Sequence, residues 1–313
     1  MMTTRLSSQF MHYQKTNSMM YSQSQLADKY QRITTGKRLL QSADDPAAAA
    51  ENLQINQTQT RLAQYKTARN FSQHQMQSQL QVVEKMEDLS RRIKQTFVAV
   101  SNQSIMSEDA RQAYATELES LKSELVGLAN SKDSSGSYLF AGYKTDTVPL
   151  VVGTNGVVNY QGSQDAIKQH IDADREVTVN FTAQQVLQTA TGGDIFQSLD
   201  LAINTLKTPY QSANPQAQSI LAANIDSAHS DLQNTMKSLS TISSQLGSQL
   251  KEVEQLNSRS EDVSLLLKER QSQLTNTDMA AEIAEYYQEE AILQASYSLF
   301  AQMKDLSLFN LLR

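Results

Sequence analysis

Apolar residues recur at helical spacing over both ends of the chain. Leu6, Phe10 and Tyr13 fall at i, i+4 and i+7, and Leu26, Tyr30 and Ile33 repeat that spacing, so each set lines one face of a helix. Thr35-Gly36-Lys37 interrupts the pattern, with Gly36 placed to stop the helix in a left-handed conformation. A second helix starts sharply at Asp44-Asp45-Pro46-Ala47-Ala48-Ala49-Ala50. Proline has no N–H to lose at the first helical position, Asp45 can cap the free N–H groups, and the alanines favour propagation. Leu53, Leu62, Tyr65, Met76, Leu80, Val83, Met86, Ile93, Phe97 and Val100 carry this helix to about Val100. The polar stretch Ser101 to Ser104 ends it, and Ser107-Glu108-Asp109 caps the next. There Tyr114, Leu118, Leu121, Leu125 and Leu128 alternate steps of four and three, a narrow bundle seam.

From about Asp133 the period changes. Ser137 to Ala141 reads as a strand between Gly136 and Gly142, and Val148–Val152 and Val157–Tyr160 flank Asn155-Gly156, a type I′ hairpin signal. Ala166–Ile171 and Glu176–Phe181 are two further strands, with Val177, Val179 and Phe181 alternating against polar residues. Gly192-Gly193-Asp194 then caps a helix carrying Ile195, Phe196, Leu199, Ile203 and Leu206. After Pro215 a long heptad pattern places Leu239, Ile242, Leu246, Val253, Leu256, Val263, Leu267 and Leu274 at a and d sites, interrupted by Gln249, Ser260 and Arg270. At ~1.5 Å per residue this helix measures ~90 Å and the one from Pro46 to Val100 ~80 Å, so the two are expected side by side. The last forty residues or so form another helix with two apolar stripes. One is Met279, Ile283, Tyr286, Leu293, Tyr297 and Phe300, and the other is Ile292, Ala295, Leu299, Met303 and Leu306. Together they are wider than one partner helix needs.

The fold class expected is therefore mainly α with a small β insertion: an elongated antiparallel long-helix hairpin or coiled-coil bundle. Three segments follow from the changes of period. Residues 1–43 and 275–313 are the terminal helices, 44–135 and 190–274 a rod-like helical middle, and 136–189 the β module.

Composition fits that architecture. Only 39% of the 313 residues are apolar, Trp is absent, and 37 are Gln, which disfavours a compact enzyme with one large aromatic core. Cysteine is absent, which removes disulfides, thiolate nucleophiles and thiolate metal sites. The formal charge is −6 and the longest basic runs are pairs such as Lys37-Arg38 and Arg91-Arg92, so no clustered positive charge is available to displace counterions from nucleic acid. No run of ~18 apolar residues is present to span a membrane. The N-terminus lacks the apolar core of a secretory signal, which leaves a cytosolic chain or one that leaves the cell without a cleaved signal.

No candidate chemistry survives weighing, and neither an enzyme nor a cofactor is expected. His12, His74, His170 and His229 are dispersed and form no metal motif. Asp44-Asp45 could be a carboxylate pair, but the cap before Pro46 explains both their type and their place. Gly153 to Gly156 has neither the spacing nor the lysine of a phosphate loop and reads as a turn. Met11, Met19 and Met20 read as packing residues.

Gln31-Arg32-Ile33-Thr34-Thr35-Gly36-Lys37-Arg38, followed by Ala43-Asp44-Asp45-Pro46-Ala47-Ala48-Ala49, resembles the N-terminal signature of the flagellin superfamily. Within it the match is to the hook–filament junction branch, the third hook-associated proteins. Filament flagellins usually carry a Ser-Ser-Gly-Leu-Arg type turn and lack the proline after the acidic pair, whereas Lys37 and Pro46 stand here. Gly136 to Gly142 with Pro149, Asn276-Thr277-Asp278-Met279-Ala280-Ala281-Glu282-Ile283, and the ending Leu306 to Leu312 are similar to later motifs of the same family, in the same order. Phe181 departs from it, since members often place Gly after the last strand.

The resemblance implies a structural adaptor between the hook-associated ring and the filament. It would be exported unfolded through the flagellar type III channel and assembled outside the cell as a tubular ring. Its partners would be identical subunits, a neighbouring hook-associated protein, flagellin and a cytoplasmic export chaperone, with no nucleic acid and no membrane insertion. Independently of the resemblance, the wide apolar stripes have too few partners within one chain, so Met1 to about Gln41 and about Asn276 to Arg313 are expected to be mobile in the free subunit. The interface candidates are Leu6, Phe10, Tyr13, Leu26, Tyr30 and Ile33 on the first helix, and Leu293, Leu299, Met303, Leu306, Leu308 and Leu311 on the last, with Asp45 and Pro46 as the helix cap. The apolar residues of the last helix are expected to be exposed before assembly. Two other readings stay open: filament flagellin itself, and a coiled-coil regulator, which leaves the β insertion without a reason.

Overall fold

The computed structural model describes residues 2–101, 107–153, 156–187, 194–208 and 215–309; for 2–9, 11–12, 215, 217–218 and 303–309 it describes the backbone alone. The chain divides into two compact units, Met1–Leu62 with Glu261–Arg313, and Ala63–Ser260. Helices dominate both, as the periodicity predicts.

In the first unit, α1 (Met2–Thr35) and α7 (Met279–Phe309) pack along each other. Gly36 ends α1 with φ +67°, its N–H donating to Arg32 O at 2.8 Å. This left-handed residue is the expected helix stop. The connector into α2 (Pro46–Ser101) is shaped by the acidic pair. Asp44 accepts the N–H groups of Leu40 and Gln41, both at 2.9 Å, and Asp45 caps α2 by accepting from Ala48 N at 3.1 Å. Both carboxyls are held below the usual range, Asp44 chiefly by the Gln41 N–H and Asp45 chiefly by the Ala48 N–H. The end of α6 (Pro215–Thr275) meets the start of α2 in a small core of Ala48, Ile55 and Leu274, joined by Leu39 and Leu267. Arg270 grips Glu51 with two bonds of 2.6 and 3.0 Å.

The second unit holds the larger core. The later part of α2 contributes Met76, Val83, Met86, Leu89, Ile93 and Phe97, and α3 (Glu108–Ala129) contributes Leu118, Leu121 and Leu125. Helix α5 (Ile195–Lys207) adds the five residues of its apolar stripe, and α6 adds Leu239, Ile242, Leu246 and Val253. Ser107 and Asp194 cap α3 and α5 as the sequence predicts. Between α3 and α5 lie two antiparallel hairpins, β1 (Leu150–Val152) with β2 (Val158–Tyr160), and β3 (Lys168–Asp172) with β4 (Arg175–Thr178).

Several expectations are corrected. Ser137–Ala141 is not a strand. Its backbone is satisfied piecemeal: Tyr138 N donates to Thr145 O, Leu139 N to Ser131 O, and the carbonyls of Phe140 and Ala141 accept from Ala183 N and Ser163 N. Scattered partners leave no ladder to form. The hairpin turn is not two residues long. Gly156 N donates to Gly153 O and Gly153 N to Val157 O, which puts the left-handed Gly156 at the fourth turn position. Val263 is exposed, because the seam of α6 passes instead through the half-buried Ser260, Ser264 and Gln271, the last donating to Asn52 and Asn56. Met20 is exposed rather than packed. A short helix, α4 (Ala183–Leu187), was not anticipated, although Thr182 and Gln185 form a reciprocal capping box that the sequence displays.

A candidate assembly surface on the terminal helices

Helices α1 and α7 run antiparallel, since contacts descend along one as they rise along the other. Gln23 donates to the Tyr297 hydroxyl at 2.9 Å, Lys29 pairs with Glu285 at 2.5 Å, and the Tyr30 and Tyr286 rings stand 6.4 Å apart. Lys29 holds the Glu285 carboxyl below its ordinary range. The contacting face is thus mixed: tyrosine rings and charged heads beside half-buried Leu26 and Ile33.

Several large apolar side chains of the pair nonetheless stand exposed. On α1, Phe10, Tyr13 and Tyr30 are each 60% or more exposed. On α7, Leu299 is 59% exposed, with Ile292 and Tyr297 exposed beside it. Leu293 corrects the expectation of exposure: it is buried, as α7 packs along α1. The side chains of Leu6, Met303, Leu306 and Leu308, and all of Leu311, lie outside the described residues. Sequence reasoning missed Met20, Tyr21 and Tyr287, all strongly exposed. Their signal was off the apolar stripe: Tyr21 and Tyr287 are amphipathic residues that present a ring to a partner and a hydroxyl to water.

Exposed aromatic and aliphatic side chains at this density are what a monomer seldom leaves uncovered. Among the described residues no cluster of three or more His, Cys, Asp or Glu could hold a metal ion, and no helix is long and apolar enough to cross a membrane.

The bacterial flagellin N-terminal helical region matches residues 6–145, and the C-terminal helical region matches residues 223–312. The two matched regions contain α1 from residue 6 onward and all of α7, and the hairpins β1–β4 fall between them. The flagellar hook-associated protein 3 of Escherichia coli strain K12 is 32% identical over 319 residues, covering 98% of this chain and 99% of that protein. The protein of the same name from Salmonella typhimurium strain LT2 is 32% identical over 321 residues, covering 99% and 100%. The chain belongs to the flagellar hook-associated protein 3 family. The flagellar hook-associated protein-3 of Legionella pneumophila shares the fold, with a TM-score of 0.63 at 15% identity over 70% of this chain and 98% of that one. Full-length likeness to hook-associated proteins decides against the filament-flagellin alternative, and the exposed terminal pair belongs to a structural component of the flagellum.

Proposed function

We propose that the chain is a structural subunit of the junction between hook and filament, and that copies of it form a tubular ring through the terminal pair. The observation that carries this reading is the exposed apolar surface of α1 and α7, where Phe10, Tyr13 and Leu299 project from helices already packed on each other. Leu6, Leu26, Ile33, Met303, Leu306, Leu308 and Leu311 complete the proposed interface, while Leu293 is buried within the subunit. Residues 1–43 and 275–313 would form its inner coiled-coil layer, 44–135 and 190–274 a rod-like middle, and 136–189 the outer module. One rim of the ring would meet a neighbouring hook-associated protein and the other flagellin. Before export a chaperone would cover the same helices, since an uncovered amphipathic face aggregates. The subunit would leave through the flagellar export channel and act outside the cell.

Deletion of the gene tests the reading. Intact hooks, absent filaments and flagellin shed into the medium are the expected phenotype. Normal filaments in the deletion strain would refute it.

A further inference from the structure

Two buried polar atoms without a hydrogen-bond partner lie at the joint of the first unit. They are Arg32 Nε, in the last turn of α1, and Glu282 Oε1, in the first turn of α7. Glu282 is only 9% exposed, and its other oxygen accepts from the Thr277 hydroxyl at 3.1 Å. A short path links the two residues: Gly36 N donates to Arg32 O at 2.8 Å, and Thr277 N donates to Gly36 O at 3.1 Å. Buried polar groups are nearly always paired, and one left alone opposes folding. Each charge does suit the dipole of the helix end that carries it. That stabilisation acts on the whole charge and leaves the two buried atoms without a hydrogen bond.

Arg32 lies close enough to Asp44 and Glu285 to help lower both carboxyls, but each of these already has a stronger partner. Arg38 holds Asp45 and the Leu274 carbonyl, Lys29 holds Glu285, and Asp44 is bound to the connector backbone. The joint also has the means to turn. Gly36 is left-handed, nothing stands within 4 Å of where its Cβ would be, and the connector is bound to the end of α6 through Arg38 N to Thr275 O.

We propose that Arg32 and Glu282 are the two halves of a latch, open in the free subunit and closed as an ion pair when α1 shifts against α7 in the assembled junction. The proposal rests on the assembly reading above. In the free subunit Arg32 Nε and Glu282 Oε1 are each buried without a hydrogen bond, although both side chains have other neighbours. Closing the latch pairs these two atoms, so the terminal pair is biased toward an arrangement that neighbouring subunits hold. Arginine suits the moving half, having a long stem and five donors.

The test uses the full-length chain in a strain lacking its own copy, with the fraction of hooks that bear filaments as the readout and secreted subunit as the control for export. Arg32→Gln and Glu282→Gln should each lower that fraction about tenfold, because one member of a buried pair is then left alone in the assembled state. Neither should lower the melting temperature of the purified subunit. The exchange Arg32→Glu with Glu282→Arg should restore filaments toward the parent level. Singles that assemble like the parent, singles that melt early in proportion to their defect, or an exchange no better than the singles would each overturn the latch. Leu299→Asp in the same strain separates the two ideas. Loss of filaments there, with normal assembly of the Arg32 and Glu282 variants, would remove the latch and leave the assembly surface standing.

Discussion

Gln79 is fully buried on the core-facing side of α2. Its amide donates to the carbonyls of Leu139 and Phe181 at 3.0 and 2.9 Å and accepts from Phe181 N at 2.8 Å. One side chain thus satisfies backbone on both sides of the β module, where no ladder does so. Gln79→Ala would leave three buried backbone groups unpaired, at about 1–3 kcal/mol each. Denaturant unfolding should therefore show a loss of about 3 kcal/mol or more, and a loss under about 1 kcal/mol would mean that water replaces the amide. The carboxylates of the first unit act at the same scale. Asp44, Asp45, Glu51 and Glu285 all titrate below their ordinary values, held by Gln41 N, Ala48 N, Arg270 and Lys29 respectively. A depressed carboxyl contributes stability that is complete above the unfolded-state value and lost as pH falls through the folded one. Melting temperature should be level above about pH 5 and fall below about pH 4. Asp44→Asn should flatten that fall, and an unchanged acid limb would show that Asp44 contributes nothing to it.

Helices and their ends were legible in the sequence because local chemistry fixes them. Pro46 behind Asp45, Ser107 and Asp194 each act as the cap their type predicts. Partners across space were not legible. Tyr138 and Leu139 look like strand residues, yet which carbonyl each N–H finds depends on Ser131 and Thr145, and no periodicity carries that information. The α6 seam was read correctly at Leu239 and Leu246 and wrongly at Val263, because small and polar side chains also fit a seam when their polar atoms are satisfied. Thr235 is buried there with its hydroxyl on Asp231 O. The candidate surface followed the same rule: its helices were evident, while the burial of Leu293 depended on how α1 lies against α7. Leu246, wholly buried, tests the seam. Leu246→Ala should cost about 2–5 kcal/mol, read as an earlier thermal unfolding of the full chain. An unchanged transition would place Leu246 outside the stabilising core.

Across the whole molecule, burial is divided unequally, and that division bears on function. The large core belongs to the unit formed by Ala63–Ser260, while the other unit has a core of Ala48, Ile55 and Leu274 and a helix pair rich in exposed apolar side chains. A chain built this way can keep one unit folded while the surface of the other waits for partners. Ile292 and Leu299 are seven residues apart on α7 and both exposed, so they share a face that the subunit leaves largely open. Neither residue is buried, and changes at exposed positions usually alter stability by ~0.5 kcal/mol or less. The same substitutions would bury two carboxylates in any partner helix groove, where an unpaired charge is strongly disfavoured. The double variant Ile292→Asp, Leu299→Asp should therefore melt with the parent, bind the export chaperone at least tenfold more weakly in a pull-down titration, and fail to support filaments. A lowered melting temperature with intact assembly would make this face a packing surface of the free subunit, and the two-partner role of α7 would have to be abandoned.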